Sequence, residues 1–363
     1  MIKRYKRKNS GCMRRTSRVY LNSLNKSKTE QLRSFCHLYA DAVRYFVVVF
    51  WSKSDLSSKL AGKDITDKAV KRFGITARVA QLAAKQAKEM VVSQHKKSNR
   101  KQRMPRFKNI TVTLDSRFFH LSEFDGSFDW ALKLQSGFPK IVVPFNNTKH
   151  TLKFIDDSWI LGNSIRLGIR GDRLFVDLIF EKPRPEIKKD GTVLGVDLGY
   201  RVPIATSRKE LIGQELKQKI EKSGKRRKTY HHYIETETNR IVKQLSLDDV
   251  RVLVLENLKN VKKGKRGKFS RRVNRLLSFW LYAKVTNRLE QICEEQGVCI
   301  ELKSPWKTSQ RCPVCGNIDK RNRKSEKFKC VSCGFEEHAD IVGAMNLKHL
   351  GLAEVYSLRS LQS

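Results

Sequence analysis

Residues 330–346 read CVSCGFEEHADIVGAMN, a stretch that joins two closely spaced cysteines to the start of a helix. A second pair, CPVCG, lies upstream at 312–316. Each CxxCG turn directs two thiolates at one ion, and two such turns at this separation are typical of a tetrahedral zinc ribbon. The pattern predicts a structural zinc site that leaves no position for a catalytic water. Its ligands are Cys312, Cys315, Cys330 and Cys333.

The helix that follows these cysteines carries an acid at its start. In DIVGAMNLKHLG, the residues Asp340, Gly343, Ala344 and Leu347 fall on one face, where small side chains allow the helix to lie close to a sheet. We therefore expect Asp340 to point where that sheet points. His338 is expected to lie in a loop or to contact phosphate, because the zinc site has no need of a fifth ligand.

Two apolar strands upstream also end in acids. Asp197 closes the strand of VLGVDLGY, and Glu256 closes that of VRVLVLENL. Near-continuous apolar character is typical of buried parallel strands, and function gathers at the carboxyl ends of such strands. Taken singly, each acid could equally belong to a turn or cap the next helix. Three acids that converge at one sheet edge would instead bind two Mg²⁺ or Mn²⁺ ions for attack on a phosphodiester.

The charge of the chain indicates the class of its partner. There are 75 Lys and Arg residues against 36 Asp and Glu residues, a net charge of +39 over 363 residues. Such self-repulsion favours a polyanionic partner, and counterion release from nucleic acid would supply much of the affinity. The longest apolar run, YFVVVFW at 45–51, is too short to span a membrane, and MIKRYKRKNSGCMRR contains no apolar signal core. We expect no membrane partner, a cytoplasmic location and reduced thiols.

Hydrophobic periodicity divides the chain into three regions. Residues 27–51 have the pattern of an amphipathic helix with Ser27 and Glu30 at capping-box spacing, and a second helix precedes the basic stretch SQHKKSNRKQRMP. From Arg106, short β-type runs (ITVTL, KIVVPF, SIRLGI and RLFVDLIF) predict a small barrel or sandwich, completed by a strand from before residue 25. After the charged linker EKPRPEIKKDG, strands alternate with helices and predict an α/β domain with a mixed sheet.

Basic runs indicate the surface that would face nucleic acid. A single run is usually a solvated face, but several runs in a chain of this net charge favour contact with nucleic acid. The candidate contacts are Arg106, Lys108, Arg226, Arg227, Lys228, His231, His232, Lys262, Lys263 and Arg266. Among the aromatic residues, Phe107, Trp306 and Tyr230 could stack on bases.

The motifs GVDLG, LENL and DIVGAMN, with TSQRCPVCG and CVSCG between the last two, resemble the split RuvC-like nuclease domain of TnpB proteins and compact type V CRISPR effectors. The resemblance covers about 192–350. It extends more weakly upstream, where MPRFK at 104–108 is similar to a string that precedes the wedge-domain strands of TnpB. At His338, Ala339 and Val342 the chain departs from the usual Asp, Arg and Asn of TnpB, which bears on the subgroup.

This resemblance implies a multidomain protein of α/β and β domains, with an RNase H-like (RuvC-type) mixed sheet that carries an inserted zinc ribbon. A wedge β-barrel with an inserted helical recognition lobe would precede that sheet. The implied boundaries are 1–26 and 101–188 for the wedge, 27–100 for the recognition lobe, 189–305 and 338–352 for the nuclease domain, 306–337 for the ribbon and 353–363 for a tail.

The same resemblance implies an RNA-guided DNA endonuclease that binds a guide RNA, recognises a short flanking motif in double-stranded DNA and cuts by two-metal-ion hydrolysis. It assigns Asp197, Glu256 and Asp340 to catalysis and to Mg²⁺ or Mn²⁺, the four cysteines to structural Zn²⁺, and Asn346 to support by hydrogen bonding. A monomer is favoured over a dimer, in association with the nucleoid of a bacterium or archaeon.

Two other functions stay open. A guided DNA-binding repressor of the same lineage would bind without cutting, although the intact set of three acids argues against it. An unguided RNase H-like transposase or resolvase would share the acids but would not need the helical and β regions before residue 188. Sequencing of copurified RNA would separate the guided functions from the unguided one.

Overall fold

The chain folds into two compact units, Met1–Pro183 and Arg184–Ser363. The computed structural model describes residues 11–52, 62–97, 102–107, 109–124, 126–135, 137, 139–155, 158–199, 201–216, 227–257 and 281–360. The division falls inside the linker sequence EKPRPEIKKDG. Beyond it, Lys188 Nζ donates to the carbonyl oxygens of Leu247 and Asp248 at 2.7 and 2.8 Å. This part of the linker is therefore docked on the second unit.

Three helices of the first unit share one apolar core. They are α1 (Lys26–Trp51), α2 (Lys63–Phe73) and α3 (Ala77–His95). The predicted apolar stripe is buried along α1. This helix begins at Asn25, whose side chain accepts a hydrogen bond from the Lys28 N–H at 2.9 Å. Ser27 lies inside the helix, so the predicted capping box with Glu30 is wrong; Asn caps as well as Ser and stands earlier in the chain.

Antiparallel strands make up the rest of the first unit. They are β1 (Cys12–Tyr20), β2 (Thr111–Asp115), β3 (Phe119–Glu123), β4 (Trp130–Leu134), β5 (Val142–Phe145), β6 (Ile160–Arg170) and β7 (Arg173–Pro183). One sheet has the order β1-β7-β6-β2 and another the order β3-β4-β5. The predicted runs coincide with β2, β5, β6 and β7, and β1 is the expected strand from before residue 25. Phe107 is buried among apolar side chains of this unit, so the prediction that it stacks on bases is wrong.

A mixed five-stranded sheet forms the centre of the second unit, as the sequence predicted. Its strands are β8 (Thr192–Asp197), β9 (Ile204–Thr206), β10 (Leu211–Ile212), β11 (Val250–Glu256) and β12 (Cys299–Lys303). The order is β10-β9-β8-β11-β12. Strands β8, β11 and β12 are parallel, whereas β9 runs antiparallel to β8. The carboxyl ends of β8 and β11 are therefore neighbours at one edge of the sheet.

Helices cover both faces of this sheet. They are α4 (Arg227–Val242), α5 (Leu281–Gln296) and α6 (Ala339–Ser360). Apolar residues of α4 and α5 pack with Leu253 and Leu255 of β11, whereas Leu347 of α6 packs with Val254, which lies between them. Because successive strand residues point to opposite faces, α6 lies on the face opposite to α4 and α5. Within the described ranges, no helix is both long and apolar enough to cross a membrane.

The contact between α6 and the sheet is made through glycine. A Cβ added to Gly195 of β8 would lie 2.0 Å from the Ala344 carbonyl oxygen, and one added to Gly351 would lie 2.5 Å from Val254 Cγ2. A Cβ on Gly343 would lie 2.9 Å from Asp197 Oδ2. Helix α6 is thus laid directly on β8, as its face of small residues predicted.

Gly195→Ala is expected to destabilise the second unit by about 3 kcal/mol or more, because the new methyl group would meet backbone that cannot move aside easily. Chemical denaturation monitored by circular dichroism measures the change. Gly11→Ala is a matched control, since a Cβ there meets nothing within 4 Å. Equal stability of the Gly195→Ala and Gly11→Ala variants would contradict this close contact.

The segment between β12 and α6 forms a small three-stranded sheet. Its strands are β13 (Arg323–Lys324), β14 (Lys327–Lys329) and β15 (Glu336–His338), in the order β13-β14-β15. The first CxxCG turn (312–316) precedes this sheet and the second (330–334) joins β14 to β15; their glycines, Gly316 and Gly334, have φ of +75° and +73°. Glycine accepts this left-handed conformation without strain, which explains its place after each cysteine pair.

Candidate functional site

The four predicted cysteines come together. Their sulfur atoms all lie within 4.8 Å of one another, with 3.6 Å from Cys312 Sγ to Cys333 Sγ and 3.5 Å from Cys315 Sγ to Cys330 Sγ. Four sulfurs about 2.3 Å from one zinc ion would be about 3.8 Å apart, so the cluster is compatible with structural zinc. The Cys333 N–H donates to Cys330 Sγ at 3.5 Å and helps to lower the pKa of that thiol to about 6.

The remaining cysteines take no part in this cluster. Cys12, Cys36, Cys293 and Cys299 are free thiols in the structure. Burial raises the pKa of the Cys36 thiol to about 12, which makes it unreactive. Cys36 and Cys293 are buried in the apolar cores of the first and second unit, whereas Cys12 and Cys299 are half-buried.

The structure brings the three predicted acids to one sheet edge. Asp197 is the last residue of β8, Glu256 is the last residue of the adjacent β11, and Asp340 lies in the first turn of α6. The close seating of Gly343 on Asp197 Oδ2 fixes the start of α6 beside the strand end. A Cβ added to Gly199, just beyond β8, would lie 3.8 Å from Asp340 Oδ2, so the Asp340 carboxylate lies close to the end of β8.

Burial and mutual repulsion govern the electrostatics of these acids. The pKa of Asp197 is raised well above its usual value, first by burial and then by the charges of Glu256 and Asp340. Burial also raises the pKa of Glu256, while hydrogen bonding from Thr308 and the charge of Arg323 oppose that rise. Among the described residues, Arg323 bonds to one of the three acids, and the guanidinium of Arg201, which also lies near Asp340, is paired with Glu326. A buried carboxylate needs a partner, and a divalent cation would supply it.

The oxygen atoms of the acids are more widely spread than the cysteine sulfurs. Over the part of the chain that the structure describes, only the cysteine cluster has three or more ligand atoms within 4.8 Å of one another. A compact single-ion site is therefore not preformed among Asp197, Glu256 and Asp340.

Sequence reasoning missed Arg323, which comes from β13 of the ribbon. Its Nη2 donates to Asp340 Oδ1 at 3.1 Å, and its charge acts on Asp197 and Glu256 as well. The ribbon contains many basic residues, so nothing in the sequence distinguishes this one. Its role depends on the hairpin that folds it back over the start of α6.

Thr308 was also missed, although it belongs to the TSQRCPVCG motif. Its Oγ1 donates to Glu256 Oε1 at 2.7 Å. The side-chain amide of Asn346 donates to the carbonyl oxygens of Thr308 and Arg311 at 2.7 and 2.8 Å. Asn346 thus connects α6 to the first turn of the ribbon by hydrogen bonds, next to the residue that contacts Glu256. The signal that could have found Thr308 was its position between a strand end and a metal ligand.

Further contacts hold the ribbon beside the acids. Arg201 Nη1 pairs with Glu326 Oε1 at 2.7 Å, and the Ala339 N–H donates to the Glu326 carbonyl oxygen at 2.8 Å. His338 Nδ1 accepts a hydrogen bond from the Asp340 N–H at 3.2 Å. His338 therefore caps α6 from β15 and is no zinc ligand, and the prediction of a loop position for it is wrong.

Five of the ten predicted nucleic-acid contacts lie outside the described residues: Lys108, Arg226, Lys262, Lys263 and Arg266. The backbone of Arg227, Lys228, Tyr230, His231 and His232 lies on α4, but their side chains are outside the described part. Arg106 is exposed. Trp306 is 65% exposed at the beginning of the ribbon, with Lys307 Nζ 4.6 Å from its ring centroid.

With cations removed by a chelator, Asp197→Asn is expected to raise Tm by about 2–4 °C near neutral pH, the shift that about 1 kcal/mol gives a unit of this size. The folded-state pKa of Asp197 lies above its usual value of 3.8, so ionisation disfavours the fold as pH rises through this window. Below about pH 4 the acid is protonated in both states and the gain should shrink. Calorimetry at both pH values tests this, and an identical Tm for both proteins at neutral pH would contradict it.

Comparison with known proteins gives a family match within the second unit and partial sequence matches to curated proteins. Residues 282–347 match the family described as Cas12f1-like, TNB domain. The CRISPR-associated endodeoxyribonuclease Cas12f1 of Sulfoacidibacillus thermotolerans is 40% identical over 75 residues, which are 20% of this chain and 18% of that protein. A TnpB-like protein of Aquifex aeolicus (strain VF5) is 29% identical over 122 residues, 33% of this chain and 39% of the relative. These alignments thus span less than half of each relative.

The fold is similar over a longer stretch. A cryo-EM structure of a Cas12f1-sgRNA-target DNA complex matches 91% of this chain and 83% of its own protein chain, with a TM-score of 0.58 and 15% identity. At this identity the likeness concerns the fold.

Proposed function

We propose, from the premise that this chain is a member of the TnpB and compact type V effector family, that it binds a guide RNA and cuts the DNA that the guide selects. The observation that carries the proposal is the convergence of Asp197, Glu256 and Asp340 from β8, β11 and α6. A chain of this family that bound DNA without cutting would have no need of three repelling acids. The net charge of +39 supports a partnership with RNA and DNA.

The residues at the sheet edge fit divalent cations, because the charges of Glu256 and Asp340 raise the pKa of buried Asp197, and that of Asp340 raises the pKa of Glu256. Asp197, Glu256 and Asp340 would hold two Mg²⁺ or Mn²⁺ ions, which would activate a water and stabilise the leaving oxygen of a phosphodiester. The four cysteines would hold Zn²⁺, consistent with their sulfur separations.

The chain itself prepares this site. Strand ends hold Asp197 and Glu256 on rigid backbone, and the glycine contact of α6 sets Asp340 beside them. Arg323 holds one oxygen of Asp340 and leaves the other free of that bond, so it orients the acid and offsets part of the negative charge. Its guanidinium, only partly buried, could also attract a phosphate to the site.

In this proposal each unit has its own task. The first unit would supply the recognition lobe (27–100) and the wedge (1–26 and 101–188), except for residues 184–188, which belong to the second unit. The second would supply the RuvC-like nuclease domain (189–305 and 338–352) and the ribbon (306–337). Base pairing with the guide would read the target sequence, while exposed groups such as Arg106 and Trp306 would contact backbone or bases.

Purification from cells, followed by sequencing of bound RNA, tests the guided part of this proposal. A defined RNA species is expected. Plasmid DNA matching its variable end, with a randomised flank, should then be cut when Mg²⁺ is added, and a second guide should redirect the cut. Bound RNA without cleavage would favour a guided repressor. Cleavage that needs no RNA would favour an unguided transposase or resolvase.

A further inference from the structure

Thr308 lies where the ribbon begins, between β12 and the first cysteine. Its side chain is buried, with the residue 4% exposed, and its Oγ1 donates to Glu256 Oε1 at 2.7 Å. A second contact, to the Pro305 carbonyl oxygen, is longer at 3.4 Å. The hydroxyl therefore has Glu256 as its main acceptor, and it approaches the acid from the ribbon rather than from the sheet.

The backbone around Thr308 is tightly held. Lys307 has φ of +54°, an uncommon conformation for a residue with a side chain, and its carbonyl oxygen accepts the N–H groups of Gln310 and Arg311 at 3.0 and 3.1 Å. Asn346, only 3% exposed, clamps this turn by donating to the carbonyl oxygens of Thr308 and Arg311. Such strain persists only where surrounding contacts over-determine it, and it gathers at functional sites.

Glu256 is an acid that needs such a partner. Its side chain has one more rotatable bond than an aspartate, so a strand end alone does not fix where its oxygens point. Its backbone is held as well, since the Tyr282 hydroxyl donates to its carbonyl oxygen at 2.8 Å. A carboxylate oxygen that accepts one hydrogen bond keeps a further lone pair for a cation. Outer groups that orient metal-binding carboxylates typically contribute 10–100-fold in metal affinity or activity.

We propose that Thr308 is a positioning residue for Glu256: clamped by Asn346, its hydroxyl fixes the orientation in which the Glu256 carboxylate receives the divalent cations. The inference rests on the proposed nuclease function and deepens it. It assigns one role to two groups, the side-chain amide of Asn346 on α6 and the hydroxyl of Thr308 in the TSQRC motif. Asn346 holds the turn that contains Thr308, and Thr308 orients the carboxylate of Glu256.

The test compares Thr308→Val, which keeps the shape and removes the donor, with Thr308→Ser, which keeps the donor. In the guide-RNA complex, Thr308→Val is expected to raise the Mg²⁺ concentration for half-maximal cleavage by about 10–100-fold, while guided DNA binding stays unchanged. Thr308→Ser should stay within about threefold of the wild type, which is about 0.7 kcal/mol. Ser309→Ala removes the adjacent hydroxyl and is the matched control.

A second measurement does not depend on cleavage. Mn²⁺ titration followed by electron paramagnetic resonance should show weaker binding to Thr308→Val by a similar factor, and wild-type binding to Thr308→Ser. If the wild type bound Mn²⁺ in this way but cut no DNA, the proposed function would fail and this inference would stand. Unchanged Mn²⁺ affinity in Thr308→Val would overturn the inference. So would a Thr308→Ser protein as defective as Thr308→Val, or a Thr308→Val protein that has lost its zinc.

Discussion

Asp197→Ala is expected to reduce guided DNA cleavage by about 1000-fold or more, a loss of about 4 kcal/mol of transition-state stabilisation. Asp197 interacts with both of the other acids, since the charges of Glu256 and Asp340 each raise its pKa. Its removal would take a ligand from the cations while leaving the first unit untouched. Single-turnover cleavage of a guided plasmid measures the rate, and RNA copurification should be unchanged.

Asp190→Ala serves as the control for this variant. Asp190 is an exposed aspartate of the same unit, and its removal should leave cleavage within about twofold, as surface substitutions usually do. If the Asp197→Ala protein cut at the wild-type rate, a catalytic role for Asp197 would be excluded. Loss of bound RNA in that variant would point to a structural role instead.

Cys333→Ser is expected to lower bound zinc to a small fraction of the wild-type content and to reduce cleavage by about 100-fold or more. Structural zinc sites contribute directly to folding. The ribbon carries two groups that touch the acids, Arg323 on Asp340 and Thr308 on Glu256, and both would lose their positions. Metal analysis by mass spectrometry and the same cleavage assay measure the two effects.

Cys12→Ser is the matched control, because Cys12 is a half-buried cysteine of the first unit outside the cluster. It should retain full zinc and full cleavage. A zinc-free Cys333→Ser protein with normal cutting would refute the coupling between ribbon and acids. A Cys333→Ser protein with full zinc would show that the cluster holds its ion with three thiolates.

The parts of the site that could be predicted are those with a short-range cause. The positions of Asp197 and Glu256 could be predicted because each acid follows an apolar strand. Buried strand residues are apolar, and a polar residue is accommodated where the strand reaches the edge of the sheet. The small face of α6 predicted its close contact with β8. The cysteine cluster could be predicted from spacing, because each CxxCG turn directs two sulfurs toward one metal ion.

The missed features have no distinctive signal in their own stretch of sequence. Arg323 reaches Asp340 because β13 and β14 fold it back, and its sequence surroundings are those of any basic surface. Strands β3 and β4 were missed because their neighbouring turns are polar and the strands are short. Phe107 was misjudged for a related reason: a basic stretch around an aromatic residue resembles a binding surface, but here the ring packs into the core of the first unit.

The position of α6 in the chain also determines when the three acids can come together during synthesis. Asp197 and Glu256 are translated first, then the ribbon with Thr308 and Arg323, and only then the helix that brings Asp340 and the glycine contact with β8. A ribosome-bound chain that ends before α6 contains Asp197 and Glu256 but lacks Asp340. Under the proposed function, the site of three acids would therefore be complete only after the first unit and the ribbon have been translated.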